Sequence, residues 1–142
     1  MNRVAVLLLS QVAFLICFMV VLAGCKSSAV ENAGREPYRT QFEAMAKGDV
    51  DLYMSTIDPS SPIYFSTKSA FGLIRGLKVT ATLDRLEVLS ESADSAEIRV
   101  VVTTKGNTPG FKDNTISQTN ALKKVDGKWL ISSAKVEEMK YL

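Results

Sequence analysis

At 142 residues the chain is long enough for one hydrophobic core and short for two. Its 17 basic and 15 acidic side chains leave a net charge of +2 with no concentrated run of either sign, which excludes the basic face a nucleic-acid binder needs to displace counterions. Histidine is absent and there are only two cysteines, so a zinc site and a Ser-His-Asp triad are excluded, and neither metal nor cofactor is expected.

Met1, Asn2 and Arg3 form a short positive start, and Val4 to Val21 is apolar apart from Ser10 and Gln11. Such a run is also long enough to stay in a bilayer as an uncleaved span. Its end separates the two readings. Leu22-Ala23-Gly24-Cys25 resembles the bacterial lipobox, an aliphatic residue and two small ones before a cysteine. The resemblance implies that residues 1–24 are a signal peptide, that the Cys25 thiol receives a diacylglyceryl group, and that cleavage before Cys25 leaves a palmitate-type lipoprotein of 118 residues. Two acyl chains hold a protein stably on a membrane where one does not. The expected location is therefore the bacterial cell membrane or outer membrane, with the domain outside the cytoplasm. Lys26 instead of aspartate after the cysteine fits outer-membrane sorting in a Gram-negative envelope. Cys17 leaves with the signal, so no internal disulfide is available.

Residues 25–36 are polar and small after the cysteine and read as a lipidated flexible tether, with the folded domain at 37–142. Tyr38, Phe42 and Met45 recur at helical spacing, and Gly48 ends that helix. Asp49 is placed to cap a second helix carrying Val50, Tyr53, Met54 and Ile57, stopped at Asp58-Pro59. Thr67 to Gly76, with Phe71, Leu73 and Ile74, reads as a helical turn or a loop.

From Leu77 the period changes to two. Leu77, Val79, Ala81 and Leu83 alternate with polar residues, but Leu86 and Val88 are out of phase by one, so a bulge near Asp84 and Arg85 is expected in a long bent strand. Ile98, Val100 and Val102 mark a second strand, and Gly106 to Asp113 a loop. Thr115 to Val125 and Lys128 to Val136 flank Asp126-Gly127, a strong hairpin signal. Pairing Val125 with Lys128 sets Lys124 opposite Trp129, Leu122 opposite Ile131 and Asn120 opposite Ser133. Trp129 is expected inside, edged by the Lys124 stem, and Gln118, Asn120 and Ser133 become inward polar groups that need a partner.

Phe42-Glu43-Ala44-Met45-Ala46-Lys47-Gly48-Asp49-Val50-Asp51, followed by a meander and Val125-Asp126-Gly127-Lys128-Trp129-Leu130-Ile131, resembles the nuclear transport factor 2-like (SnoaL-like) superfamily over Tyr38 to Leu142. The resemblance implies an α+β cone, N-terminal helices packed on a curved antiparallel sheet, often enclosing a pocket. It covers binding and dimerisation modules as well as ketosteroid-isomerase-like and polyketide-cyclase-like enzymes. Pocket candidates are Tyr53, Tyr64, Gln118, Asn120 and Ser133. Asp49, Asp51, Asp58 and Asp84 are the carboxylates that could serve as a base, yet each has a structural position at a helix end, first turn or bulge. No catalytic residue is therefore assigned. The expected function is a lipid-anchored extracytoplasmic binding or interaction module, with a small pocket enzyme as the alternative. Its partners would be the membrane through Cys25, an unidentified protein or small molecule, and a second copy of the chain as a candidate dimer.

Overall fold

The computed structural model describes residues 31–142; the lipobox and Cys25 lie outside the described residues. Glu31–Leu142 form a compact unit of their own that holds every core residue named below. The chain is helical over 31–47 (α1). Residues 31–36, the end of the stretch read from sequence as tether, are therefore helical; the rest of that tether lies outside the described residues. The buried positions of α1 are Gly34, Pro37, Tyr38, Gln41 and Ala44, a regular 3.6-residue face, while Phe42 and Met45 are only half-buried. Gly34 faces the sheet, where an added Cβ would make ordinary contact with Leu122 at 3.6 Å and Leu86 at 3.7 Å.

Asp49 caps the short helix α2 (Val50–Met54) as expected, its carboxylate accepting from the Leu52 N–H at 2.9 Å. Thr67 to Gly76 resolves into part of a helix, α3 (Tyr64–Ile74), which buries Phe71. The Phe71 ring lies against Tyr53 with centroids 4.4 Å apart.

Four antiparallel strands follow in sheet order, β1 (Val79–Glu91), β2 (Ser95–Gly106), β3 (Asn114–Val125) and β4 (Lys128–Tyr141). The expected bulge is present: the β1–β2 register shifts between Leu83 and Arg85, and the bulged Asp84 carboxylate accepts from the Thr103 hydroxyl at 2.5 Å. A second shift falls between Val88 and Ser90, and two more interrupt β3–β4. Each inserted residue bends its strand and raises the local twist, which curves the sheet around α1. At the β3–β4 turn, Asp126 and Gly127 both have positive φ, 49° and 79°, the requirement of a two-residue primed turn. The pairs Val125–Lys128, Lys124–Trp129 and Leu122–Ile131 follow as expected. Beyond them the register differs from the sequence reading. An extra residue in β4 sets Ser133 opposite Ala121 and Ala134 opposite Asn120, so Ser133 leaves the inner face and is exposed.

The core's fully buried side chains include Tyr38 of α1, Phe71 of α3, and Ile98, Val100 and Leu122 of the sheet. The start of β4 does not present an open edge. Ile57 forms a parallel bridge to Ile131, the Asp58 N–H donating to the Ile131 carbonyl and the Ile131 N–H to Thr56, both at 2.9 Å. Asp58, itself 4% exposed, accepts from the Ser60 N–H at 2.9 Å and the Ser60 hydroxyl at 2.8 Å. Those two bonds, with a smaller contribution from Lys123 at 3.9 Å, hold its carboxyl below the ordinary aspartate range.

A carboxylate whose folded pKa is depressed contributes stability that is present above its unfolded pKa, about 3.9, and is lost as pH falls below it. Asp58→Asn should destabilise the protein by about 1–3 kcal/mol at pH 7. The gap to wild type should narrow below about pH 4 and stay constant between about pH 6 and 8. Urea unfolding of the two proteins across that range checks it.

Candidate functional site

Two regions of the domain hold polar groups that the fold alone does not require. The first is interior. Tyr38 on α1 accepts a hydrogen bond from the Asn120 amide of β3, and both residues are 1% exposed. Burial pushes the Tyr38 phenol well above its ordinary range, opposed by the Asn120 hydrogen bond and reinforced by Tyr53 nearby; burial also raises Tyr53. The Asn120 carbonyl oxygen is buried without a partner. Gln41, also on α1, donates to the Thr56 hydroxyl at 2.9 Å, and that hydroxyl donates to the Tyr53 carbonyl at 2.7 Å.

The second region is an open groove of about 430 Å³ between α1, the end of α2 and the β3–β4 turn. Its walls are Glu36, Pro37 and Thr40 on one side and Lys128, Trp129 and Leu130 on the other, with Ser55 and Thr56 between them. Trp129 is half-buried, not enclosed as the sequence suggested, and Lys124 lies over its ring at 5.8 Å from the centroid. Pro37 carries no N–H, so the Ala33 carbonyl one turn earlier lacks its helical donor, and both residues line the groove. An apolar indole face, the Thr40 hydroxyl, an unpaired helix carbonyl and two opposite charges suit a ligand with one flat apolar side and hydrogen-bonding edges.

The residues singled out from sequence are dispersed. Asn120 is interior, Gln118 is half-buried on the same face of β3, and Tyr53 packs on Phe71. Tyr64 stands edge-on to Phe65, and Ser133 is exposed. None of the five lines the groove. Of the four aspartates, Asp49 caps a helix, Asp51 lies in its first turn, Asp58 makes a turn and Asp84 occupies the bulge. The groove residues that sequence reasoning missed belong to 33–40; the helical spacing of Gly34, Pro37, Tyr38, Gln41 and Ala44 was the signal that could have found them.

Helices followed by this curved four-stranded sheet define the nuclear transport factor 2-like cone. Solved structures sharing it include a candidate aromatic ring hydroxylase from Novosphingobium aromaticivorans, 11% identical over 79% of this chain and 92% of that one, with a TM-score of 0.66. An NTF2-like protein of unknown function from Shewanella oneidensis is 18% identical over 74% and 96%, TM-score 0.60. A candidate dehydratase of the NTF2-like family from Streptomyces avermitilis is 15% identical over 75% and 94%, TM-score 0.61. Residues 36–142 match the family described as the C-terminal domain of anti-sigma-I factor RsgI9, and the chain belongs to that family. No curated protein matches it.

Removing one side of the interior hydrogen bond leaves the other buried and unpaired. Tyr38→Phe and Asn120→Ala should each cost about 1–3 kcal/mol, and the double variant should cost less than their sum. Urea denaturation of the three variants measures the coupling; strict additivity would show that the pair does not interact.

Proposed function

We propose that the protein is a lipid-anchored binding module of the bacterial cell envelope, held by a diacylglyceryl-modified Cys25 and taking its ligand in the groove beside Trp129. One observation carries the non-catalytic part of this reading: the buried tyrosine faces an amide, Asn120. An amide does not exchange a proton near neutral pH, so the pair lacks the base that an isomerase-type reaction requires. The two carboxyl groups with shifted acidity, Glu43 and Asp58, are both shifted downward, away from the range where a general base works. The family description, a domain of an anti-sigma factor, also speaks for binding. The anchor rests on the Leu22-Ala23-Gly24-Cys25 sequence and the apolar run before it. Among the described residues no helix is long and apolar enough to cross a membrane.

Radiolabelled palmitate should enter the wild-type protein in bacterial cells and be absent from Cys25→Ala. An unlabelled wild type would exclude the anchor. As the chain's single tryptophan, Trp129 should report groove occupancy through its emission, tested with fractionated envelope extracts. Turnover of a ketosteroid that disappears in Tyr38→Phe would instead establish the enzyme reading.

A further inference from the structure

Between Asp58 and Asp84 the chain contains no acidic residue, while Lys68, Arg75 and Lys78 place three cations there. That stretch includes α3 and the turn leading into β1. All three cations are exposed, and among the described residues none of them lies in an ion pair. The same helix carries the two most exposed large apolar side chains of the described domain, Leu73 at 84% and Phe65 at 79%.

Their arrangement is not random. Phe71 is the one buried residue of α3 and marks the side facing the core. At 100° per residue, Leu73 projects about 160° from Phe71, and Phe65 about 120° from it. Phe65, Ser69 and Leu73 thus follow one another at i, i+4 and i+8 along the outward side, with Lys68 flanking them. Gly72 and Gly76 add no side chain beside this ridge, and a Cβ at either would meet nothing within 4 Å. An outward aromatic and a leucine, in a stretch with three exposed unpaired cations and no carboxylate, match the chemistry of a surface whose headgroups are anionic and whose interior is apolar.

We propose that the outer face of α3 is a docking surface for anionic lipid headgroups, with Phe65 and Leu73 entering the interfacial layer and Lys68, Arg75 and Lys78 pairing with the headgroups. The proposal takes its setting from the anchored-module reading. Only five residues separate Cys25 from Glu31, so a lipidated Cys25 keeps Glu31 within about 20 Å of the bilayer.

The test uses the unit Glu31–Leu142, which contains its whole core and leaves Cys25 out. Co-sedimentation at millimolar lipid compares vesicles of pure phosphatidylcholine with vesicles containing phosphatidylglycerol. Binding should require phosphatidylglycerol and weaken as salt is raised from about 0.1 to about 0.5 M. The variant K68Q/R75Q/K78Q should bind about a hundredfold less, at about fivefold per cation. Phe65→Ser with Leu73→Ser should lose roughly tenfold or more. These side chains are exposed, so the variants should melt as wild type does. As a control for net charge, Lys105→Glu with Lys140→Glu on the outer sheet face should bind vesicles as before. Absence of binding, binding insensitive to the α3 variants, or equal loss in the control would overturn the proposal. So would a concentration-dependent dimer, without lipid, that Leu73→Ser dissolves, because the ridge would then serve a second copy of the chain. If palmitate labels Cys25 but the unit ignores vesicles, docking fails alone; vesicle binding without labelling leaves docking and removes the anchor.

Discussion

The hydrogen bond between Tyr38 and Asn120 joins the first helix to the centre of the sheet, and much of the domain is arranged around it. Both partners are buried, so neither can turn to water if the other moves. Their geometry demands that α1 lie against β3, and one turn earlier Gly34 faces Leu122 and Leu86 on the same side of the helix. It also demands a sheet curved enough to bring Leu86, Ile98 and Leu122 around the helix, and the bulges in β1 and β4 supply that curvature. Gln41, on the same face of α1, then holds the loop after α2 through Thr56, and that loop covers the start of the β4 edge. A covered edge matters because an unpaired strand invites pairing with other chains.

The sheet is legible in the sequence to the extent that side-chain phase records register. The slip between Leu83 and Leu86 announces the first bulge, and Asp126-Gly127 sets the turn and its neighbouring pairs. The bulge in β4 leaves no such trace. Ser132 and Ser133 are alike in polarity, so inserting one residue there alters no apolar phase, and phase alone puts Ser133 on the wrong face. At the N-terminal boundary the difficulty is of another kind. Gly34 and Pro37 are local signs of a loop, but tertiary contact overrides both. Gly34 is buried against the sheet, and Pro37 lies in a helix stabilised by packing on both sides of it. The groove is illegible for the same reason, since Ala33, Glu36, Pro37 and Thr40 of its wall belong to that helix.

Fold membership leaves the activity open, because the nuclear transport factor 2-like cone hosts both catalysis and binding. The choice depends on what stands opposite the buried tyrosine. A carboxylic acid there can be driven neutral and shuttle a proton; an amide can donate and accept hydrogen bonds but does not exchange a proton near neutral pH. In the binding-module reading proposed above, Asn120 is a structural pin and recognition falls to the rim, where Trp129, Thr40 and Ala33 border the open groove. The unpartnered Asn120 oxygen is the remaining cost of the arrangement.

A lipid anchor of the proposed kind determines where a domain resides but not which side it turns to the membrane. A second contact, however weak, removes that freedom, because the tether turns it into an intramolecular event at an effective concentration in the millimolar range. An affinity half-saturated at millimolar lipid in solution is then largely satisfied at the surface. Three cations and two apolar side chains are strong enough to orient a tethered domain and too weak to hold an untethered one against dilution. That division of labour accounts for two otherwise unrelated features, an acid-free stretch and an outward Phe65–Leu73 ridge, occurring together in one segment of the chain.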